Sequence, residues 1–398
     1  MSHYKMLDGN AAAVEAMKMA RVKVISAYPI TPQSSISEKL SDLVDAGELD
    51  AKYIRVESEH TAMSCAVGAQ LTGVRAATAT SSVGLALMHE ILNVASGCRV
   101  PIVMPVVNRS LASPWSLWCD HQDSMAERDS GWLQFYCENV QDVFDTLLCA
   151  YRIAEDRRVQ TPAMVCLDGF FLSHSMQKVL LPEQDEVDGF LGEYTPKNAY
   201  LNPADPMVIN DLTPTDEITE MKFQQTVGFA QAKVVAGEVF AAFEKEFGRH
   251  KEVVEGYRAE DADAIIITQG SMSGTAKYVV DKLREEGQKV GAVKIVMFRP
   301  FPYEALRQVC GSVKKAAVLD RTAGLGAQGT PLWLETKAAL GGDVDVRSYV
   351  GGLAGRDISP MTIQKVFEDL GQEAPCDGVN WIDCKDDPMH LREVPLHV

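Results

Sequence analysis

Two glutamates, Glu57 and Glu59, open a predicted helix that follows a short strand at residues 53–56. Carboxylates are ordinary in a first helical turn, because the helix dipole favours negative charge there. The rest of this helix is rich in small residues, at Ala62, Ser64, Ala66 and Gly68. Small residues suit very close packing against another chain or a cofactor, and a carboxylate at such a place is desolvated. The glutamates are therefore candidates for catalysis.

Arg109 follows a strongly apolar segment, RVPIVMPVVN, at residues 99–108, which predicts a buried strand. Ligands of open α/β sheets bind at the carboxyl ends of such strands, and the planar fork of arginine can bind a carboxylate through two hydrogen bonds. Arg109 is therefore a candidate clamp for a carboxylate, with a plain surface arginine as the alternative. The next segment, residues 113–132, is dense in tryptophan and charged residues, which is unusual for a loop without a function.

A third candidate is Thr31, which lies between two prolines in the loop AYPITPQSS at residues 27–35. Proline restricts its own φ to about −65° and disfavours the helical conformation in the residue before it. This spacing predicts that Ile30 and Thr31 are extended and stiff. Because the loop follows an apolar strand at residues 22–26, a rigid connector into the next helix is one interpretation. A loop that holds the threonine hydroxyl in place is the other.

The segment GLGAQG at residues 324–329 matches the pattern of dinucleotide-binding loops. That pattern needs a strand that runs through a tight turn directly into a helix. Here residues 320–323 separate the preceding strand from the glycines, and Pro331 follows the last glycine closely. A flexible turn at a contact between domains or subunits is the preferred interpretation, and a nicotinamide-dependent dehydrogenase is the disfavoured one.

The nine cysteines are spread along the chain, and no two of them form a C-x2-C pair. The spacing typical of zinc ribbons and of iron–sulfur clusters is therefore missing. Adjacent residues of a loop rarely ligate one ion together, so the run DHQD at residues 120–123 does not predict a metal site either. If the protein takes part in redox chemistry, its electrons are expected to travel through another chain.

Apolar strands and helical patterns alternate over the first half of the chain. Strands are predicted at residues 22–26, 53–56, 76–82, 99–107 and 162–168, with helices at 9–20, about 34–46, 57–74 and after Gly84. This alternation favours a parallel sheet that helices cover on both faces. Residues 182–257 contain an acidic, proline-rich stretch and a helical stretch at 217–249. They are interpreted as a connecting region without a core of its own.

A second α/β unit opens with the strand at residues 264–268. Helices follow at 273–286, 303–309 and near 360–370, and strands at 290–297 and 316–320. The predicted domains are therefore 1–235, with the connecting region, and 258–398. A chain of 398 residues, 46% of them hydrophobic, has ample material for sizeable cores.

Charge and hydropathy argue against several kinds of partner. The net charge of −17 argues against a nucleic acid. No apolar run reaches the roughly 18 residues of a membrane helix, and the first ten residues lack the basic start and apolar stretch of a signal peptide. These features predict a soluble, cytoplasmic protein with no membrane partner.

Five segments stand in one order along the chain: YPITP (28–32), SEH (58–60), the stretch from NR (108–109) to DHQD, CLDGFFLSH (166–174) and FRPFP (298–302). Together they resemble the alpha subunits of the 2-oxoacid:ferredoxin oxidoreductases, and among these the pyruvate enzyme most closely. The resemblance covers nearly the whole chain. It implies an α/β fold, with a thiamine-diphosphate-binding domain of the pyrimidine type on a parallel sheet, followed by a domain like the C-terminal domain of transketolase.

The resemblance also implies a complex. In this family the alpha subunit shares thiamine diphosphate with a beta subunit, which holds the diphosphate, Mg²⁺ and one 4Fe–4S cluster. A delta subunit carries two further clusters, and a gamma subunit completes the complex. Pyruvate is oxidatively and reversibly decarboxylated with coenzyme A to acetyl-CoA and CO₂, and the electrons pass to ferredoxin. The alpha subunit alone is expected to be inactive.

The candidate residues match positions with roles in this family. Thr31 matches a threonine beside the thiazolium ring and the substrate, with Pro29 and Ile30 next to the cofactor in the same loop. Glu59 matches the carboxylate that forms a hydrogen bond with N1′ of the aminopyrimidine. Arg109 matches the arginine that binds the substrate carboxylate. The resemblance therefore implies that Thr31, Glu59 and Arg109 are catalytic.

The chain departs from the family at the implied substrate loop. Residues 114–118 read PWSLW where pyruvate-type relatives often read PINIW, which brings a bulky Trp115 to the substrate pocket. Pyruvate is the predicted substrate, with phenylglyoxylate, branched-chain 2-oxoacids and 2-oxoglutarate as alternatives. Thr31 argues against oxalate, because relatives that act on oxalate tend to place a basic residue there. A non-catalytic scaffold subunit is the alternative from another class.

Overall fold

The computed structural model describes residues 3–311, 313–372 and 378–385. Up to residue 191 the elements are β1 (His3–Leu7), α1 (Gly9–Met19), β2 (Val24–Ala27), α2 (Ser34–Asp45), β3 (Lys52–Arg55), α3 (Glu59–Leu71), β4 (Ala76–Ala77), α4 (Ser82–Leu87), α5 (His89–Gly97), β5 (Val103–Asn108), α6 (Gln122–Ala126), β6 (Leu133–Tyr136), α7 (Val140–Ala154), β7 (Ala163–Asp168), β8 (Gln177–Leu181) and α8 (Gln184–Leu191). After it come α9 (Ile218–Phe247), β9 (Val254–Tyr257), β10 (Ala264–Thr268), α10 (Met272–Glu285), β11 (Val290–Ile295), β12 (Met297–Arg299), α11 (Tyr303–Cys310), β13 (Lys315–Asp320), α12 (Pro331–Leu340), β14 (Asp345–Val350), α13 (Pro360–Leu370) and β15 (Val379–Trp381).

The first unit contains a two-stranded antiparallel sheet of β1 and β8 and two larger sheets joined by one parallel bridge. Strands β3, β2 and β4 form one sheet, and β12, β6, β7 and β5 form the other. All their pairs are parallel except β12 with β6, and Thr80 bridges to Val106 between the sheets. Strands β5 and β7 are buried throughout, as expected for a sheet covered on both faces. The predicted parallel arrangement is confirmed, although the strand predicted at 76–82 is reduced to β4.

Helices α7 and α9 extend the first core. Helix α7, which the sequence pattern does not predict, is buried along almost its whole length. Helix α9 packs against it through a face that ends at Phe243. The connecting region therefore packs onto the first core. This agrees with its interpretation as a region without a core of its own. The sequence pattern predicts no membrane helix, whereas α9 is long and apolar enough to span a membrane by length and composition alone. Of the 18 residues that meet this criterion, 39% are buried inside the protein.

The second unit is a six-stranded sheet in the order β15-β14-β13-β10-β11-β9. Its strands are parallel except for the edge strand β9. The helices predicted at 273–286, 303–309 and 360–370 are confirmed as α10, α11 and α13. Helix α12 and strand β14 are further elements that the sequence pattern does not predict.

The segment predicted as one strand at 290–297 contributes to two sheets. Strand β11 stays in the second unit, whereas β12 pairs antiparallel with β6 of the first unit, with Met297 opposite Phe135. A shared sheet therefore joins the two units in addition to the connecting chain. The division into domains 1–235 and 258–398 stays a prediction.

Candidate active site

The loop that carries Thr31 leaves β2 and turns sharply before α2. Thr31 begins a turn, in which the N–H of Gln33 donates to the carbonyl of Ile30 over 2.7 Å. The side chain of Asn10 donates to the carbonyl of Pro32 over 2.8 Å. The chain therefore bends at residues 31–33, where the sequence pattern predicts an extended run through Ile30 and Thr31. Hydrogen bonds from outside the loop hold the turn in place.

Glu59 is the first residue of α3 and is only 6% exposed. The hydroxyl of Ser58 caps the helix by accepting from the N–H of Thr61 over 3.2 Å. In β2 the hydroxyl of Ser26 donates to the carbonyl of Ala62 over 2.6 Å, a close approach that the small residues of α3 permit. Among the described residues, none forms a hydrogen bond with the Glu59 carboxylate. This carboxylate is therefore available to a ligand.

The start of α4 lies directly against Glu59. A Cβ atom on Gly84 would be 2.5 Å from Oε1 of Glu59 and 2.6 Å from Oγ1 of Thr80, so glycine is required there. In the described part of the chain, the buried hydroxyls of Thr78, Thr80 and Ser81 have no hydrogen-bond partner. Buried polar groups are normally paired. An uncommitted carboxylate with an unpaired hydroxyl beside it fits a polar ring that carries both donors and acceptors.

Arg109 follows β5 and is only 5% exposed. Its Nη1 donates to the carbonyl of Thr31 over 2.6 Å, whereas its Nε has no hydrogen-bond partner among the described residues. Burial lowers the pKa of the guanidinium, and the negative charges of Asp123 and Glu59 oppose this shift. Because arginine remains protonated in proteins, Arg109 is a cation with a donor left for an anionic group.

The structure brings together the three residues predicted to be catalytic, but not the predicted substrate residue Trp115. Pro29, which is exposed, and Ile30, which is half-buried, lie in the same loop as Thr31. Trp115 is 72% exposed, and within the described residues it forms no hydrogen bond with the other three. Trp118 is the tryptophan of this loop that packs, with its ring centroid 4.5 Å from that of Phe170.

Asp123 is a buried site residue to which the sequence pattern assigns no role. Its carboxylate accepts hydrogen bonds from the backbone N–H groups of Ser82, Arg109 and Ser124 and from the side chain of Asn108. Burial raises its pKa to about 6, although these hydrogen bonds act in the opposite direction. The unusual density of polar residues around DHQD is the signal that pointed to this segment.

The neighbouring residues of the DHQD segment connect the two units. Nε2 of His121 donates to Asp168 at the end of β7 over 2.8 Å, and the hydroxyl of Ser271 donates to the same carboxylate over 2.5 Å. Burial acts to raise the pKa of Asp168, but His121 and Arg321 hold it well below its usual range. Ligand atoms of Cys119, His121 and Asp168 lie within 4.8 Å of one another. The Asp168 carboxylate is thus already shared by His121, Ser271 and the guanidinium of Arg321.

The glycine-rich segment 324–329 forms the loop between β13 and α12. Thr330 caps α12 by accepting from the N–H of Trp333 over 3.3 Å, and Pro331 is the first helical residue. A Cβ atom on Gly324 would be 2.1 Å from the carbonyl oxygen of Gly329, so the loop folds closely onto itself. The helix begins only after the glycines, and Pro331 lacks the N–H that a phosphate needs. This geometry supports the interpretation as a turn.

Comparison with known proteins establishes the family. A family model described as "Pyruvate flavodoxin/ferredoxin oxidoreductase, thiamine diP-bdg" matches residues 15–241. The chain belongs to the pyruvate:ferredoxin oxidoreductase family. A second model of this family, "Pyruvate:ferredoxin oxidoreductase core domain II", matches residues 262–363.

Relatives in this family match nearly end to end. The pyruvate synthase subunit PorA of Pyrococcus furiosus is 45% identical over 95% of this chain and 97% of its own length. PorA of Thermotoga maritima is 47% identical over 91% of this chain and 93% of its own. The ketoisovalerate oxidoreductase subunit VorA of Pyrococcus abyssi is 43% identical over 92% of this chain and 93% of its own. The predicted membership, an alpha-type subunit of a 2-oxoacid:ferredoxin oxidoreductase, is confirmed.

Two solved structures share the fold of this family member. The 2-oxoglutarate:ferredoxin oxidoreductase from Magnetococcus marinus, with 2-oxoglutarate, coenzyme A and succinyl-CoA bound, matches with a TM-score of 0.73 at 21% identity, over 92% of this chain and 65% of that chain. A split-gene transketolase matches with a TM-score of 0.51 at 12% identity, over 91% and 92%. The predicted fold class is confirmed: a thiamine-diphosphate-binding α/β domain followed by a transketolase-like α/β domain.

Proposed function

We propose that this chain is the alpha subunit of a pyruvate:ferredoxin oxidoreductase, which converts pyruvate and coenzyme A to acetyl-CoA and CO₂ and reduces ferredoxin. The names of relatives with about 45% identity support pyruvate as the substrate. The observation that carries the proposal is the buried Arg109, which is bonded to the Thr31 loop and whose pKa is lowered by burial, an effect that the nearby charge of Glu59 opposes. A cationic fork and an uncommitted carboxylate, each following a strand of one of the two neighbouring sheets, suit a 2-oxoacid and an aminopyrimidine.

Glu59 is the residue proposed to hold the cofactor. Thiamine diphosphate, when bound, supplies the nucleophilic carbon that reacts with the 2-oxo group. The Glu59 carboxylate would form a hydrogen bond with N1′ of the aminopyrimidine, since no described side chain competes for it. Burial favours such a charge-assisted bond, because a low local dielectric strengthens it. Pro29 and Ile30 belong to the loop that would face the same cofactor.

Arg109 and Thr31 are proposed to hold the substrate. Nη1 of Arg109 is engaged by the Thr31 carbonyl, and the remaining donors are oriented by that bond toward the carboxylate of the 2-oxoacid. The charge of that carboxylate is lost as CO₂ leaves, so the arginine must orient the substrate without stabilising it too strongly before the reaction. The Thr31 hydroxyl lies in a turn held from outside, and therefore acts as a donor that needs no reorientation.

We assign the remaining parts of the enzyme to partner subunits. A beta subunit would complete the thiamine site and hold Mg²⁺ and a 4Fe–4S cluster, and delta and gamma subunits would complete the complex that passes electrons to ferredoxin. The exposure of Pro29 and Thr31 supports a site that another chain covers. The relatives are themselves named as subunits. We propose a cytoplasmic complex with no nucleic-acid or membrane partner.

Anaerobic turnover of the native complex with a viologen dye and coenzyme A tests this function. The substrates are pyruvate, 2-oxoglutarate, 2-oxoisovalerate, phenylglyoxylate, indolepyruvate and oxalate, and we expect pyruvate to give the highest kcat/KM. A branched-chain 2-oxoacid is the second candidate, because a ketoisovalerate oxidoreductase subunit is 43% identical and the PWSLW loop departs from the pyruvate pattern. Dye reduction with none of the acids would overturn the catalytic assignment.

The alternative of a scaffold subunit is tested with Glu59→Gln in the assembled complex. Glutamine keeps the size of the side chain but cannot accept as an ionised carboxylate, so we expect turnover to fall by roughly 100-fold or more. Glu57→Gln is the matched control, since Glu57 is exposed and its carboxylate accepts a hydrogen bond from Thr61. Full turnover of Glu59→Gln would support the scaffold.

A further inference from the structure

One buried carboxylate connects the two segments that carry the site. Asp123 lies in the short helix α6 and is 1% exposed. Its Oδ2 accepts hydrogen bonds from the backbone N–H of Ser82, over 2.9 Å, and of Arg109, over 3.0 Å. Its Oδ1 accepts from the side chain of Asn108 and the backbone N–H of Ser124, both over 2.8 Å. All four partners are donors, so an ionised carboxylate satisfies them best.

The first branch of this network leads to the substrate arginine. The hydrogen bonds of Asp123 with Asn108 and Arg109 hold the backbone where β5 ends. The guanidinium of Arg109 then donates to the carbonyl of Thr31. A shift of the backbone at residue 109 therefore moves both the guanidinium and the turn that presents the threonine hydroxyl.

The second branch leads to the Glu59 carboxylate. Ser82 has a φ of 50°, in the left-handed region that residues other than glycine seldom adopt. Its hydroxyl donates to the carbonyl of Ser110 over 2.5 Å, and its N–H donates to Asp123. Ser82 begins α4, and Gly84 in the same helical turn lies against Glu59. A shift of Ser82 therefore moves the surface against which the Glu59 carboxylate rests.

We propose that Asp123 is a positioning residue, whose carboxylate fixes the positions of Arg109 and Glu59 relative to each other without touching the substrate or the cofactor. The inference rests on the proposed function of those two residues. Asp123 bonds to segments 41 and 14 residues away in the chain. Because both segments bond to the same carboxylate, they cannot change conformation independently of each other.

Asp123→Asn in the assembled complex is the direct test. The amide places two N–H donors where four donors already converge, so it loses hydrogen bonds in either orientation. A misplacement of about 1 Å at a catalytic group costs roughly 100-fold in rate. We expect kcat/KM for the 2-oxoacid to fall by that order, with KM raised and kcat lowered. Asp123→Glu keeps the charge and is expected to recover part of the loss.

Asp145→Asn is the matched control. Asp145 is buried in α7, where it accepts from Arg249 and Gln141 rather than from either site loop. Its replacement removes a buried ion pair and should lower Tm while leaving kcat/KM unchanged. Equal losses of kcat/KM in Asp123→Asn and Asp145→Asn, or unchanged kinetics in Asp123→Asn, would overturn the proposal.

Amide hydrogen exchange gives a readout that does not depend on turnover. Peptides that contain Ser82 and Arg109 should exchange faster in Asp123→Asn and at the wild-type rate in Asp145→Asn. If the wild-type complex turns over no 2-oxoacid, the proposed function fails, while the exchange rates still test the positioning. If Asp123→Asn does not assemble, Asn108→Ala removes one of the four donors and should raise KM and the same exchange rates, more weakly. Unchanged KM and exchange in that variant would overturn the proposal.

Discussion

Nη1 of Arg109 donates a hydrogen bond to the carbonyl oxygen of Thr31 over 2.6 Å, although the two residues are 78 positions apart in the chain. The bond joins the loop after β2 to the end of β5. It sets the direction of a buried cation by means of a backbone atom, which no change of side chain at residue 31 removes. A proline-bracketed turn and a strand-end arginine therefore act as one unit.

Arg109→Lys is expected to weaken substrate binding more than assembly. Lysine keeps the charge but lacks the planar fork, so it cannot bond to the Thr31 carbonyl and bind a carboxylate in the same geometry. The loss of one charge-assisted hydrogen bond costs about 1.5–3 kcal/mol, which is roughly a 10- to 100-fold rise in KM. Steady-state kinetics of the complex measure the change in KM, with Arg128→Lys, at a half-exposed arginine, as the control. An unchanged KM for every 2-oxoacid would contradict the assignment of Arg109.

Gly84→Ala is expected to impair turnover although alanine is the better helix former. The added Cβ would be 2.5 Å from Oε1 of Glu59, so the carboxylate has to move. A displacement of this kind costs roughly 100-fold in kcat, and thiamine diphosphate should bind more weakly. Gly97→Ala is the control, because a Cβ atom on Gly97 meets nothing within 4 Å. Equal activity of the two variants would argue against a catalytic Glu59.

Trp115→Ala is expected to change substrate selectivity with little effect on the stability of the chain. Trp115 is 72% exposed, so under the proposed function it would line the substrate pocket only once a partner subunit covers its loop. Removal of bulk from an apolar pocket changes discrimination by roughly 10-fold or more. The ratio of kcat/KM for 2-oxoisovalerate to that for pyruvate should rise by this factor in the complex. Trp381→Ala, at a half-exposed tryptophan in β15, should leave the ratio unchanged.

Asp320 is expected to make stability depend on pH. Burial raises its pKa to about 6, and its Oδ1 has no hydrogen-bond partner in the described part of the chain. Between about pH 4 and pH 6 the folded state therefore binds more protons than the unfolded state, so the free energy of unfolding falls as pH rises through this window. Asp320→Asn keeps an acceptor for the N–H of Leu332 and should remove about 3 kcal/mol of that fall.

Urea unfolding of the purified subunit between pH 4 and pH 7, followed by tryptophan fluorescence, measures this effect. The slope should become shallower but not vanish, because the pKa of Asp123 is also raised to about 6. Asp343→Asn, at an exposed aspartate of the same unit, should leave the slope as it is. The same slope in Asp320→Asn and the wild type would show that Asp320 does not titrate in this range.

The meeting of Thr31, Glu59 and Arg109 in one place could be predicted because residue type and position are informative together, whereas their catalytic roles stay predictions. Thr31 and Arg109 follow apolar strands, and Glu59 opens a helix of small residues, so each stands where an α/β sheet binds its ligands. Asp123 could not be assigned a role in this way. The role proposed for it depends on Ser82 and Arg109 lying close together in the fold, which no local sequence pattern indicates.

Other differences between the sequence-based predictions and the structure also arise from contacts between residues that are distant in the chain. The period of a strand predicts that residues 290–297 are extended but does not say which sheet each part joins. The two prolines around Thr31 predict a restricted backbone, whereas the turn at residues 31–33 depends on hydrogen bonds of Asn10 and Gln33. For Trp115, its position in the family's substrate loop predicts a place in a pocket although its residue type departs from the family pattern, whereas the side chain is 72% exposed in this chain.

Strand β12 is synthesised long after its partner β6, so the sheet that they share is completed late. Three strands of the sheet β12-β6-β7-β5 have been synthesised once the chain reaches Asp168. The fourth, the edge strand β12 that pairs with β6, ends only at Arg299. A ribosome that adds about 5–20 residues per second needs roughly 6–26 s for this interval. During that time the outer edge of β6 has no neighbour, and open edges recruit foreign strands. That edge is where a chaperone would protect the nascent chain most effectively.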